Sequence, residues 1–280
     1  MPEMSEDEEK MTLLQYITSE LSAIKVDSPE AEARLVIEQL YNNDVFRQAA
    51  EADLSKFQNV LERRKKREPI QYILGKAFFF NSEFIVSPAV LIPRPETEIM
   101  VEKLIEELPR NGIMADIGCG SGCIGISVAL ERPDVQIYAF DISSDALTVA
   151  RLNAENLKVS NIHFIESDLL EKCPRDIRFD AVGANLPYVP YEDYITAQLE
   201  VRKYEPEIAL TAPDAGLEII IRCVAELEYF MQKGGTAFFE IDPSQDTRLQ
   251  KIFLDNNWQE AEIIKDYTSR SRFVKGIRQN

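Results

Sequence analysis

The chain has 280 residues, with 48 acidic and 31 basic side chains, a formal net charge of -17, 45% apolar types and 28% charged types. At ~100 to 200 residues per domain, that length suits one large domain or two ordinary ones with a sizeable core, and the composition is globular, not that of a disordered polyanion. So negative a chain repels phosphate backbones overall, which disfavours broad nucleic-acid binding.

The opening MPEMSEDEEK is acidic and lacks an apolar signal core, and no apolar run approaches the ~18 residues of a membrane span. These features predict a soluble, unexported protein with no membrane partner. Cys119, Cys123, Cys173 and Cys223 are too sparse for a disulfide framework and read as free thiols of a reducing, cytoplasmic compartment. The single histidine, His163, leaves a zinc site short of ligands, and Cys119 and Cys123 have no close third cysteine for a cluster. No metal is expected.

From Met11 to about Glu68 the apolar residues recur at helical spacing, which predicts a small helical bundle. Ser28-Pro29-Glu30 reads as an N-cap, an N1 proline and a first-turn acid. The run Arg63-Arg64-Lys65-Lys66-Arg67 closes the last helix and reads as a solvated end complementing the helix dipole, with a docking patch as the lesser alternative.

Between Pro69 and Pro95, aromatic and β-branched residues from Tyr72 to Val86 surround the turn-forming Asn81-Ser82, predicting a β-hairpin that joins two domains. Glu96 to Leu108 reads as a helix. Strand candidates follow at Gly112–Ile117, Gln136–Asp141, His163–Glu166, Ala181–Ala184, Thr236–Ile241 and Arg272–Gly276, with helical segments between the first four. That alternation predicts an α/β, mostly parallel, doubly wound sheet. The expected division is residues 1–74 helical, 75–95 hairpin linker and 96–280 catalytic.

The first strand runs into Asp116-Ile117-Gly118-Cys119-Gly120-Ser121-Gly122, with a helix behind it. Glycines let the backbone approach a ligand, and the helix start offers free N–H groups. Gly120, Gly122 and Gly125 also fit the dinucleotide fingerprint, so the loop alone leaves NAD and S-adenosylmethionine (SAM) both open. Asp141, ~20 residues beyond the glycines, suits the ribose hydroxyls of either. At the third strand's end Asp168 fits either an adenine amine acceptor or an N-cap, and Leu169 a cover for the ring. Asp116 reads as a brace for the loop, compatible with a place near the SAM amino group.

The fourth strand ends in Asn185-Leu186-Pro187-Tyr188. Methylating an amide or aromatic amine requires acceptors that orient a delocalised nitrogen toward the sulfonium methyl. The Asn185 side-chain oxygen and the Leu186 carbonyl are the two acceptors, Pro187 a rigid turn and Tyr188 a stacking face.

DIGCGSG, ESD and NLPY together resemble class I SAM-dependent methyltransferases acting on planar nitrogens. With Pro69–Gly75 (PIQYILG) and Leu91–Glu98 (LIPRPETE), nearly the whole chain resembles the HemK/PrmC family of protein-(glutamine-N5) methyltransferases, which modify the Gly-Gly-Gln loop of class 1 peptide release factors. Tyr204-Glu205-Pro206, Phe239-Glu240-Ile241 and Arg270–Val274 match further segments. The resemblance implies a seven-stranded Rossmann-like domain behind a helical substrate-recognition domain. It also implies a SAM site lined by Gly118 to Gly122, Asp141, Leu169 and Asn185, and a glutamine held by Asn185 to Tyr188. By the same resemblance, Arg94 to Glu98, with Arg94 and Glu98 as substrate contacts, are expected to form an interdomain segment near the active site with an ordering or lid role. The partner implied is a release factor, with no direct nucleic-acid requirement, and the chain is expected to be a monomer. Leu186 stands where that family usually has proline, and NLPY is also typical of rRNA adenine dimethyltransferases. An adenine N6 methyltransferase is therefore the alternative, ahead of an NAD-dependent dehydrogenase and of a SAM-binding regulator without turnover.

Overall fold

The structure, a computed structural model, describes residues 10–279; the acidic opening residues 1–9 and Asn280 lie outside the described residues. The chain divides into two units, one ending at Gly75 and one beginning at Lys76.

In the first unit, α1 (Leu13–Ala23), α2 (Pro29–Leu40), α3 (Ser55–Lys65) and the short α4 (Ile70–Leu74) gather Leu13, Ile17, Leu21, Ala33, Val36, Ile37, Phe57 and Leu61 into one buried cluster. A capping box starts α1: Thr12 accepts from Gln15 N–H, and the Gln15 side chain accepts from Thr12 N–H. Ser28 occupies the N-cap position of α2, but its side chain makes no capping bond; Pro29 at N1 supplies the start instead. The basic run departs further from expectation. Arg64 is 6% exposed, and its Nε and Nη2 both reach the Glu32 carboxylate at 2.9 Å. Arg63 takes Glu68 and the carbonyls of Tyr72 and Ile73. Part of the run thus ties α3 to α2 and to α4, and Tyr72 and Ile73, read from sequence as strand, are helical.

The second unit opens with the hairpin β1 (Lys76–Phe79) and β2 (Ser82–Ile85), followed by a 3₁₀ turn at Pro95–Thr97 and α5 (Glu98–Glu107). The hairpin is part of this unit, not a free linker. Phe79 and Phe84 are fully buried among Ile99, Met100 and Leu104.

The sheet then builds as β3 (Ile113–Ile117), α6 (Cys123–Glu131), β4 (Gln136–Asp141), α7 (Ser144–Asn156), β5 (Ile162–Glu166) and β6 (Phe179–Ala184). Short helices α8 (Tyr191–Tyr194) and α9 (Leu199–Tyr204) precede α10 (Glu218–Phe230), β7 (Met231–Glu240), α11 (Asp246–Asp255), β8 (Trp258–Lys265) and β9 (Ser271–Arg278). The seven strands lie in the order β5-β4-β3-β6-β7-β9-β8, parallel except for β9, which is antiparallel to both its neighbours.

Strand β8 has no counterpart among the sequence candidates. It is an edge strand in which charged Glu260, Glu262 and Lys265 interrupt the apolar residues, so it never forms the short apolar run of a central strand. His163 sits in β5 with its ring 5.0 Å from that of Tyr138, a structural place as expected.

Chain direction outward through β4 and β5 and back to β6 puts a topological switch between β3 and β6. In open α/β sheets the crevice beyond the carboxyl ends at such a switch is where ligands bind.

Candidate active site

The loop after β3 is shaped by its neighbours. Gly118 and Cys119 N–H groups both donate to Phe140 O, at 2.8 and 3.0 Å. Gly118 has φ +73, a left-handed conformation that strains any side chain, and a Cβ there would also crowd Leu186 Cδ2 at 3.0 Å. Asn153, 1% exposed, donates to Ser121 O and Ile85 O and accepts from Ile85 N–H, pinning the loop to the hairpin.

Asp141 ends β4 with each oxygen holding one backbone N–H: Oδ2 from Gly120 and Oδ1 from Ser143, at 2.8 and 2.9 Å. A carboxylate has further lone pairs beyond these two, which leaves acceptors for a diol. Burial pushes its pKa up, opposed by those backbone bonds.

Asp116 stands deeper, fully buried, and its Oδ2 accepts from Gly125 N–H at 2.8 Å, bracing the start of α6. Its Oδ1 has no hydrogen-bond partner, and burial raises the pKa to about 7. Burial likewise holds the Cys123 thiol up at about 12.

One cavity spans this edge. Gly118 to Ser121, Asp141, Ile142, Asp168, Leu169 and Asn185 to Pro187 line it, together with Leu91 to Arg94 and Thr97. Asp168 lines it with its carboxylate paired to Arg222 at 2.8 Å; the carboxylate makes no capping bond. Leu169 takes a left-handed φ of +47 and is 6% exposed.

Of the expected site residues, Asp116, Gly122, Glu98 and Tyr188 stand behind the lining. Gly122 is the N-cap of α6. Glu98 accepts from Phe80 N–H at 3.1 Å and so fixes the hairpin turn. Arg94 lines the cavity and is bound to Glu205.

The residue that sequence reasoning passed over is Glu240, at the end of β7. Burial raises its pKa, yet it takes three donors: Thr97 Oγ1 at 2.6 Å, Asn185 Nδ2 at 3.0 Å and the Tyr188 hydroxyl at 3.0 Å. Its signal was present, a lone acid closing an apolar strand beside the switch point. Burial and the Glu240 charge drive the Tyr188 hydroxyl pKa well upward, so it stays a donor. Gln245 completes the frame, its Nε2 donating to Tyr188 O and Ala215 O.

Residues 12–75 match the PrmC N-terminal domain and residues 95–200 the Methyltransferase small domain. A release factor glutamine methyltransferase of Chlorobaculum tepidum is 36% identical over 89% of this chain and 90% of its own. The chain belongs to the release factor glutamine methyltransferase family. A bifunctional methyltransferase of Rickettsia prowazekii is 32% identical over 94% of this chain, which spans 56% of that longer protein. A solved methyltransferase of Pyrococcus furiosus, 13% identical, superposes with a TM-score of 0.55 over 81% of this chain and 100% of its own, a likeness of fold.

Members of this family use S-adenosylmethionine, and the residues present fit it. The glycine loop from Gly118 to Ser121 lines the cavity and allows close approach, the spare acceptor positions of Asp141 suit the ribose, and Ile142 with Leu169 offers apolar walls to a flat ring.

Proposed function

We propose that this chain transfers a methyl group from SAM to the side-chain amide nitrogen (N5) of the glutamine in the Gly-Gly-Gln motif of a class 1 peptide release factor. The observation that carries the reading is Asn185, in a chain of this family, held at the cavity with its Nδ2 on Glu240 and Thr97. The amide NH₂ is thereby anchored on the Glu240 side, and Oδ1 is left to accept from a substrate N–H.

Bound in the cavity, SAM supplies an electrophilic methyl group on a sulfonium. Asn185 Oδ1 and the Leu186 carbonyl take the two N–H bonds of the glutamine amide. This orients the nitrogen, favours its pyramidal form and stabilises the positive charge that grows on it. The Leu186 contribution is a backbone carbonyl, so leucine in place of the family's proline keeps the acceptor. Pro187 stiffens the turn, and Tyr188 is braced through its hydroxyl on Glu240. No strong base is required, because the N–H proton becomes acidic as the bond to carbon forms.

The reading includes a cytoplasmic monomer acting on protein without a direct nucleic-acid requirement. Supporting it are the net charge of -17, the free cysteines and the absence, among the described residues, of a helix long and apolar enough to cross a membrane. An adenine amino group would offer the same two N–H bonds to the same acceptors; family membership is what favours the glutamine. Intact release factor incubated with this protein and SAM should gain one methyl group on the Gly-Gly-Gln glutamine by mass spectrometry. An unchanged mass, with methyl groups appearing in RNA or DNA instead, overturns the reading.

A further inference from the structure

Glu240 is 2% exposed, and the three donors that converge on it come from two separate segments: Thr97 from the 3₁₀ turn, and Asn185 and Tyr188 from the turn after β6. Thr97 and Asn185 share Oε2, while Tyr188 takes Oε1. A carboxylate only accepts, so this arrangement admits the Asn185 amide in one sense, NH₂ toward Glu240 and oxygen away from it. A neutral group in the same place offers a donor too. It lets Asn185 turn over and present NH₂ to the substrate, donor against donor.

We propose that Glu240 is a positioning residue for methyl transfer, its carboxylate setting the sense of the Asn185 amide and acting on the substrate nitrogen only through it. This rests on the reading of Asn185 as acceptor for the glutamine amide. The charged and titratable groups facing Glu240 are Glu96 on the 3₁₀ turn, Cys123 at the start of α6, Tyr188 after β6 and Arg272 on β9, which is also paired with Asp266. Arg272 and the hydroxyl donors favour the ionised acid, while burial, the largest influence, and Glu96 oppose it and raise the pKa. The positioning form is therefore lost as pH falls through that raised value, and transfer should fall with it.

The test measures kcat at saturating SAM and saturating intact release factor from about pH 4, below the ordinary carboxyl value, to about pH 8. Wild type should lose rate on the acid side. Glu240→Gln should lose about tenfold or more in kcat at neutral pH and show no acid limb, with SAM affinity by calorimetry unchanged within about twofold. Thr97→Val keeps the carboxylate but removes a bond that stabilises its charge, so the limb should move to higher pH. A Glu240→Gln kcat within about twofold of wild type overturns the proposal. If that variant does not fold, an unmoved limb in Thr97→Val does so. Asn185→Ala, run alongside, separates the two readings. Full transfer by Asn185→Ala sinks the role of Asn185 itself, whereas abolished transfer with an unaffected Glu240→Gln sinks only the role of Glu240.

Discussion

Arg94 Nη2 meets both oxygens of Glu205, at 2.7 and 2.8 Å, joining residues 111 apart in sequence. The Glu205 side chain is 2% exposed and that of Arg94 33%. Arg94 lines the cavity, and Pro206, Ile208 and Ala209, just after Glu205, line it too. The pair therefore closes the cavity wall on itself.

Arg94→Ala leaves a buried carboxylate without its cation. The expected loss of stability is about 1–3 kcal/mol, less than for a fully buried pair because a third of Arg94 already meets water. Urea denaturation without ligand measures it. Glu205→Gln, which leaves no buried charge behind, should cost less; the opposite ranking would place the importance of the pair elsewhere.

Asp141→Asn tests the ribose assignment. The carboxylate now satisfies Gly120 and Ser143 N–H groups at once, and an amide offers one oxygen to two donors while pointing NH₂ at the other. SAM affinity should weaken by about tenfold or more, about 1.4 kcal/mol. Calorimetric titration giving an unchanged Kd would show that the ribose is held by other residues.

The sheet and the site were legible in the sequence to different depths. Central strands such as β3 and β6 are buried on both faces and announce themselves as apolar runs. Edge strand β8 does not. Tyr72 and Ile73 were misread because they carry strand propensity while their helix is fixed by packing, with Ile70 buried in the bundle and Gly75 capping the helix at φ +76. Asn185 was legible from its place at a strand end. Glu240 stands at a strand end just as visibly, but its role was not legible, since its partners lie 52 to 143 residues away in sequence and only the fold brings them to it. The basic run misled for the same reason: Glu32, which pairs with Arg64, is 32 residues away.

Gly216 is a second position that folding alone reveals. Its φ is +81, and a Cβ there would lie 1.9 Å from Tyr188 O, itself clamped by Gln245. Gly216→Ala cannot be absorbed by a side-chain rotation, because the obstacle is backbone. The variant should be destabilised by about 3 kcal/mol or more and should lose transfer even where folded, since Tyr188 must move. Thermal midpoint and transfer rate read the two effects separately.

Asp116 predicts a pH dependence of stability with a definite sign. Its pKa rises from 3.8 to about 7 in the folded protein, chiefly by burial, with Asp141 adding to the rise and Gly125 N–H opposing it. The native state therefore binds the proton more tightly than the unfolded chain. The Asp116 contribution is most favourable at low pH, declines as pH rises from about 4 to about 7, and is flat above. Asp116→Asn does not titrate and keeps an oxygen for Gly125, but it buries an NH₂ where Oδ1 has no partner. At acidic pH the variant should be equal to wild type or weaker. Across the window it should gain on wild type, by at most about 4 kcal/mol at 1.36 kcal/mol per unit. Asp141 and Glu240, also raised by burial, shift both proteins alike and largely cancel in the difference. Denaturation of both proteins at about pH 5 and about pH 8 measures it. A difference that stays constant between the two would mean that Asp116 meets the same proton affinity folded and unfolded, and that its buried setting admits water.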